Sequence, residues 1–147
     1  MPECVSSLVT MSEAVSLALH AMALLATQEG HRFTNQAIAE RLQASGHHLA
    51  KVMHRLVKAG LVDSSRGPLG GFDLNVPAEE IKLLQIYEAV EGPISSYGCP
   101  LSRPACQGRN CVLSDLVRVV HQQIRDYLAR TDLAELALGL AVLGSPG

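Results

Sequence analysis

The sequence predicts a mainly α-helical domain that carries one small β-hairpin. Hydrophobic residues make up 48% of the 147 residues but aromatic residues only 3%, so we expect an aliphatic core, which favours helices packed on helices. Apolar residues recur at helical spacing along most of the chain. One glycine-rich turn, RGPLGG at 66–71, separates two short runs of strand-like residues and predicts the hairpin.

The first predicted helix is apolar on almost every side and should be buried. Thr10 and Glu13 have the spacing of a capping box, so the helix is expected to begin at Thr10 and to continue to about Ala26. Its polar residues Glu13, Ser16 and His20 share one face. A core histidine bonded to a neighbouring carbonyl is the simplest structural role for His20.

The next segment predicts two helices joined by a tight turn. Thr34 is the expected N-cap of a short helix over NQAIAERLQ at 35–43. The turn ASG leads into a third helix from about His47 to Ala59, whose apolar residues keep an i, i+3, i+4, i+7 pattern. Gly60 ends this helix. Its opposite face carries His48, Lys51, Arg55 and Lys58.

After the hairpin, Pro77 opens a predicted helix that ends at Gly92. A loop over 93–112 contains three cysteines, and a long helix follows from about Leu113 to Arg130. Residues 131–147 are interpreted as an apolar tail with a flexible end. One apolar stripe runs along the long helix: Leu113, Leu116, Val117, Val120, Ile124 and Tyr127.

The net charge of the chain is −2, but the charges are unevenly distributed. From Arg41 to Phe72 there are five Lys or Arg residues and one acid, Asp63, so this part of the chain is basic. The N-terminus has no basic leader, and the apolar run over 14–26 is too short to span a bilayer. The sequence therefore predicts a cytoplasmic protein without membrane contact, a setting in which clustered cysteines bind metals more often than they form disulfides.

Two short helices, a basic-faced helix and a glycine-tipped hairpin together predict a winged helix–turn–helix domain over 8–92. In such a domain the basic-faced helix enters the major groove of DNA, and the hairpin lies along the DNA backbone. The alternative is an ordinary amphipathic helix whose basic face is only solvated. The predicted DNA contacts are His48, Lys51, Arg55, Lys58, Arg66 and Gly67.

The loop cysteines Cys99, Cys106 and Cys111 have the spacing C-x6-C-x4-C. Structural zinc usually takes four ligands with a closer cysteine pair, whereas the proline and glycine residues between these cysteines suit a loop around a larger cluster. From the residues alone, an iron–sulfur cluster, a zinc ion and unligated thiols all stay open. Cys4 lies far away in the sequence and is interpreted as a free thiol.

The stretch HHLAKVMHRLVKAGLVDSSRGPLGGFDL at 47–74 resembles the DNA-binding core of the Rrf2 family of bacterial regulators. IKLLQIYEAVEG resembles the helix that follows the wing in that family, and the likeness extends from about Leu8 to Arg130. It implies a homodimer formed through the long helix over 113–130. It also implies that the dimer binds double-stranded DNA at a near-palindromic operator.

The resemblance further implies that the three loop cysteines hold an iron–sulfur cluster of the 2Fe–2S or 4Fe–4S type. The iron–sulfur-assembly branch has a histidine where this chain has Ser114, which argues against simple assignment to that branch. Other branches take the fourth ligand, an Asp, Glu or His, from helix 1 of the partner subunit. SLALH at 16–20 resembles the first helix of a redox-sensing member that has a ligating histidine at the position of His20 and a carboxylate at the position of Ser16. This similarity makes His20, supplied by the partner subunit, the candidate fourth ligand.

The predicted function is therefore that of a cluster-dependent homodimeric transcription regulator that senses redox state, nitric oxide, or cluster and iron status. The alternative is a winged-helix regulator without a cluster, which senses a small molecule or a protein partner. The sequence contains no nucleotide-binding loop, no nucleophile–base set and no second cluster motif, so an enzyme is not expected.

Overall fold

The computed structural model describes residues 11–68, 70–94 and 111–143. Within these residues the chain forms six α-helices, one two-stranded antiparallel sheet and a short 3-10 helix, so the predicted mainly α fold with a winged helix–turn–helix is confirmed. The elements are α1 (Glu13–Thr27), α2 (Asn35–Leu42), α3 (Gly46–Lys58), β1 (Val62–Ser65), β2 (Gly71–Leu74), the 3-10 helix (Ala78–Glu80), α4 (Leu83–Glu91), α5 (Val112–Arg130) and α6 (Leu133–Leu143).

Helix α1 lies at the centre of the core. Eight of its residues are buried, and α2, α3, α4, α6 and β2 all pack against it. The helix begins at Glu13, and Ser12 is its N-cap, because the Ser12 Oγ accepts a hydrogen bond from the backbone N–H of Val15 at 3.2 Å. The predicted Thr10–Glu13 capping box is therefore wrong, since Ser12 has the extended backbone that a cap requires. Thr10 itself lies outside the described residues.

Helices α2 and α3 form the predicted helix–turn–helix. Thr34 caps α2 as predicted by accepting a hydrogen bond from the N–H of Ala37 at 3.1 Å, and Ser45 caps α3. The side-chain amide of Asn35 donates to the carbonyl of Gly46 at 2.8 Å and thereby fixes the start of α3 against α2. The buried side of α3 agrees with its predicted periodicity and consists of Leu49, Val52, Met53 and Leu56.

The hairpin follows α3. Its strand β2 pairs with β1 on one edge and with the segment before α2 on the other. Phe33 pairs with Phe72 through two backbone hydrogen bonds of 2.8 and 3.1 Å. Gly71 has a φ of 134°, and a Cβ at this position would lie 2.7 Å from the carbonyl oxygen of Phe33. Glycine is therefore required where the hairpin meets this bridge.

The segment after the hairpin differs from its prediction. A continuous helix from Pro77 is wrong, because the chain forms a 3-10 turn, becomes extended at Ile81 and begins α4 only at Leu83. The extended residues make long-range backbone pairs: the N–H of Leu133 donates to the Ile81 carbonyl at 2.8 Å, and the N–H of Leu83 donates to the Thr131 carbonyl at 2.9 Å. These bonds satisfy backbone groups that a continuous helix would have paired internally.

The same pairing positions α6 in a segment for which the sequence predicts only an apolar tail. Helix α6 packs against α1 and the 3-10 helix, and its residues Leu133 and Ala137 are buried. It is therefore part of the core. Helix α5, by contrast, contributes Leu128 to the core and exposes most of its length. Among the helices of the described residues, none combines the length and apolarity that a membrane span needs.

Replacing Gly71 by alanine is expected to lower the free energy of unfolding by about 1–3 kcal/mol, because the new Cβ would meet the Phe33 carbonyl. Gly30→Ala is the matched control, since Gly30 also has a positive φ, of 85°, but a Cβ there would have no atom within 4 Å. Urea denaturation of both variants measures the difference. Equal losses would show that backbone strain alone, and not the contact with Phe33, requires glycine at 71.

Candidate functional site

The exposed side of α3 is basic and lies opposite its buried side. Its centre is formed by four exposed residues at i, i+4, i+7 and i+11, namely His47, Lys51, His54 and Lys58, which we term the basic face of α3. Lys51 and Lys58 are among the contacts predicted from the sequence. His47 and His54 are not, although a helical period drawn through the two lysines identifies them.

Two other predicted contacts lie on the flank of α3 and face neighbouring helices. His48 is partly buried, and its Nδ1 lies 3.9 Å from the Oε2 of Glu13 at the start of α1. The Arg55 Nη1 donates to the carbonyl of Val90 in α4 at 2.7 Å. Both side chains therefore have partners within the chain.

The hairpin follows α3, contacts it through β1, and carries a further basic residue. Arg66 is exposed at its tip, and Gly67 there has a φ of 99°. The single acid of the basic segment, Asp63, accepts a hydrogen bond from the Arg32 Nη2 at 2.6 Å, while the Arg32 Nη1 donates to the carbonyl of Gly71 at 3.2 Å. Because Arg32 pairs with Asp63, the carboxylate does not oppose the positive charge of Arg66.

Cys111 occupies the N-cap position of α5. The backbone N–H and the hydroxyl of Ser114 favour the thiolate and lower the pKa of Cys111, and the N–H of Leu113 adds to this effect. A thiolate is the form that binds metals. The other predicted ligands, Cys99 and Cys106, lie outside the described residues, as does Cys4. In the part of the chain that is described, no three metal-binding side chains come together.

His20 is exposed on α1 and is not a core histidine. Its Nδ1 lies 2.6 Å from the carbonyl oxygen of Ser16. Since a carbonyl only accepts, the Nδ1 carries the proton of this bond, and in the neutral ring the Nε2 keeps a free lone pair. The side chain lines an open groove of about 730 Å³ between α1, the end of α5 and α6. The expected bond to a neighbouring carbonyl is present, but the expected burial is not.

The groove lined by His20 lies far from Cys111 along α5. Tyr127 lines the same groove as His20 and lies sixteen residues after Cys111, along α5. At a rise of about 1.5 Å per residue, this separation is about 24 Å along the helix axis. This length is large beside a metal–ligand bond of about 2 Å, and it places the groove that His20 lines at the far end of α5 from Cys111.

The predicted apolar stripe of α5 is accessible to solvent. Leu113 and Leu116 are 58% and 56% exposed near its beginning, and Tyr127 is 56% exposed near its end. Val117, Val120 and Ile124 between them are partly buried. Such a row of large apolar side chains on a solvent-facing helix is typical of a protein–protein contact.

Comparison with known proteins identifies relatives of this chain. The model of the Rrf2 family, described as iron-dependent transcriptional regulators, matches residues 11–138. YwgB of Bacillus subtilis is 39% identical to this chain over 92 residues and is named as an HTH-type transcriptional regulator. The alignment covers 61% of this chain and 59% of YwgB. The HTH-type transcriptional regulator IscR of Photorhabdus laumondii is 35% identical over 111 residues, which cover 75% of this chain and 67% of IscR.

A solved structure is similar as well. CymR, the global cysteine regulator of B. subtilis, superposes with a TM-score of 0.73 at 27% sequence identity and covers 88% of this chain and 96% of its own. These relatives are named as regulators and not as enzymes.

The lowered pKa of Cys111 predicts that its thiol reacts with iodoacetamide at a lower pH than an ordinary cysteine, because only the thiolate reacts. Ser114→Ala removes the hydroxyl donor and should raise the pH midpoint of the reaction, while the backbone donors that remain keep the increase partial. The measurement uses a chain in which Cys4, Cys99 and Cys106 are serine. Gln123→Ala, on an exposed position of α5, is the control, and an unchanged midpoint in Ser114→Ala would contradict the assigned cause.

Proposed function

The chain belongs to the Rrf2 family of transcriptional regulators, and on this basis we propose that it is a homodimeric regulator whose binding to double-stranded DNA depends on an iron–sulfur cluster. Transcriptional regulators of this family bind DNA. The observation that supports the proposal most directly is the basic face of α3, which lies beside a hairpin with an exposed Arg66 at its tip.

The basic face of α3 has the residues that recognition in the major groove requires. Lys51 and Lys58 supply positive charge for phosphates, and His47 and His54 lie between them with ring nitrogens that can bond base edges. Arg66 and Gly67 at the hairpin tip reach the neighbouring backbone, because glycine permits close approach. The proposal assigns DNA contact to these residues, while His48 and Arg55 have partners on α1 and α4.

The exposed stripe of α5 supports a homodimer. Large apolar side chains on this helix are costly to leave in water, at about 25 cal/mol per Å², and the same stripe on a second copy would cover them. A twofold axis through α5 would present two α3 helices to successive major grooves. The expected operator is therefore a near-palindrome.

For the cluster, the proposed ligands are Cys99, Cys106 and Cys111 of one subunit and His20 of the partner subunit. The donor set suits iron: the Cys111 thiolate is favoured by the start of α5, and the bond from the His20 Nδ1 to Ser16 leaves the Nε2 available. Cys111 is separated by about 24 Å along α5 from Tyr127, which lines the same groove as His20. This separation supports a ligand from the partner subunit. When bound, the cluster would supply a centre that oxidants or nitric oxide alter.

The likeness to CymR, which is named as a global cysteine regulator, favours a second candidate function. In this case the chain would be a winged-helix regulator without a cluster, which senses a small molecule or a protein partner through the same fold. The two candidates differ in the iron and sulfide content of the purified protein.

Lys51→Ala is expected to weaken DNA binding and to reduce the slope of log affinity against log salt by about 0.9, the value for one lost phosphate contact. The measurement is fluorescence anisotropy at several salt concentrations with a duplex that the wild-type protein selects from a random library. Lys82→Ala removes the same charge at the start of α4 and should leave the slope unchanged. An equal effect of both variants would indicate a general charge effect and contradict the assigned surface.

The wild-type protein, purified without oxygen, is expected to be coloured and to contain iron and acid-labile sulfide in equal amounts, near two or four of each per subunit for a 2Fe–2S or 4Fe–4S cluster. The triple variant Cys99→Ala, Cys106→Ala, Cys111→Ala should lose both elements and keep its helix content. Cys4→Ala should behave like the wild type. A colourless wild-type protein that still binds DNA would exclude the cluster and support the second candidate.

A further inference from the structure

The guanidinium of Arg32 joins the two strands of the hairpin. Its Nη2 donates to the Oδ2 of Asp63 on β1 at 2.6 Å, and its Nη1 donates to the carbonyl of Gly71 on β2 at 3.2 Å. The planar fork of a guanidinium can hold two acceptors in fixed directions, whereas the ammonium of a lysine is a point charge without this fork. One side chain from outside the hairpin is therefore bonded to both of its strands.

The hairpin depends on support of this kind. Each strand has only four residues, and a two-stranded hairpin is at best marginally stable on its own. The backbone of Phe33 gives one support, because it pairs with Phe72 along the edge of β2 that faces away from β1. Arg32 is the residue before Phe33, so its side chain crosses β2 to reach Asp63 on β1.

Two acids at the base of the hairpin give Arg32 an electrostatic role. Asp63 and Asp73 are direct partners in the register of the two strands, and like charges opposite one another destabilise an antiparallel pair. The Oδ1 of Asp73 accepts a hydrogen bond from the backbone N–H of Leu74 at 2.8 Å, which brings no positive charge. Within the described residues, Arg32 is the cation that forms an ion pair with this pair of acids.

The contact is directional as well as electrostatic. The side chains of Arg32 and Asp63 are 33% and 51% exposed, and water weakens the attraction between charges at such a surface. The second acceptor, the Gly71 carbonyl, carries no charge. The geometry of the fork therefore matters for holding the strands, beyond the positive charge that it carries.

The position of the hairpin tip follows from the position of its base. Arg66 comes directly after β1 and lies three residues beyond Asp63, a distance of about 10 Å at the usual rise of a strand. Arg32 lies two residues before Thr34, which caps α2. The contact therefore connects the hairpin that carries Arg66 to the start of the helix–turn–helix.

We infer that Arg32 is a positioning residue for the contact between the hairpin and DNA. Its two hydrogen bonds fix the hairpin against the start of α2 and thereby place Arg66 at the phosphate that it binds. The inference rests on the proposed function, because it concerns how the same DNA-binding surface is held. Without the fork the strands keep their backbone pairing, but the tip turns away and the Arg66 contact is lost in a large share of the molecules.

The test uses Arg32→Lys, which keeps a positive charge beside Asp63 but removes the fork. It is combined with Arg66→Met in a cycle of four proteins: the wild type, the two single variants and the double variant. Arg41→Lys is the matched control, the same substitution at an arginine of α2 that lies 5.5 Å from the ring centroid of Phe33 and has no described bond to either strand. Affinity for the selected duplex and its salt slope are measured with full-length protein purified anaerobically.

Arg66→Met should reduce the slope of log affinity against log salt by about 0.9, the value for one phosphate contact. Arg32→Lys should lose at least about half of this amount and bind at least about fivefold more weakly at low salt, although its net charge is unchanged. In the Arg66→Met background, Arg32→Lys should change the dissociation constant by less than about twofold, because the contact that Arg32 positions is already absent. Arg41→Lys should match the wild type.

Three results would overturn the inference alone. Wild-type binding by Arg32→Lys would show that a positive charge beside Asp63 is sufficient. An equal loss in the wild-type and Arg66→Met backgrounds would make Arg32 a separate DNA contact or a residue that serves folding alone, and an equal loss in Arg41→Lys would make the effect unspecific. A wild-type protein that selects no duplex, or wild-type binding by Arg66→Met, would instead overturn the proposed DNA contact, and the inference would fall with it.

Discussion

The burial of α1 is the constraint on which the rest of the structure depends. Helix α1 is apolar on nearly every side, and Val15, Ala18, Ala21, Met22 and Leu25 are fully inaccessible to water. Its alanines allow the neighbouring helices to approach closely, as dense packing of a core requires. Because α3, α4 and α6 all pack against this one helix, their relative positions are set by it.

This arrangement gives the polar residues of α1 two different surroundings. Ser12 and Glu13 at its start contact α4 and α3, while His20 two turns later faces the groove beside α5 and α6. Helix α1 thus connects the part of the domain that carries the basic face of α3 with the part from which α5 extends.

The sequence predicts the helix–turn–helix and the hairpin well, because their signals are local. The cap at Thr34, the apolar period of α3 and the turn RGPLGG each lie within a few residues of the structure they determine. Helix α6 is missed although Asp132 and Glu135 exchange capping hydrogen bonds at its start, a spacing that the sequence itself displays. The break before α4 is missed because it depends on backbone pairing of Ile81 and Leu83 with residues about fifty positions away. No local pattern encodes such a contact.

The sequence predicts which residue types form the candidate site better than it predicts which way their side chains face. Lys51, Lys58 and Arg66 are exposed as expected. His47 and His54 are not predicted, because the centre of the basic face depends on which side of α3 packs against the core. Arg55 belongs to a charged stripe in the sequence, and only the position of α4 reveals its acceptor at Val90. The exposure of His20 likewise depends on how α5 and α6 pack around α1.

The central claim is that two subunits complete each other's cluster site, since Tyr127, which lines the same groove as His20, lies about 24 Å from Cys111 along α5. The most direct measurement uses a heterodimer of differently tagged subunits, one with alanine at Cys99, Cys106 and Cys111 and the other with His20→Ala. Only ligation by the partner subunit gives this heterodimer one complete site. The account predicts a wild-type visible spectrum with half the wild-type iron and sulfide per dimer; a spectrum equal to that of the His20→Ala homodimer would contradict it.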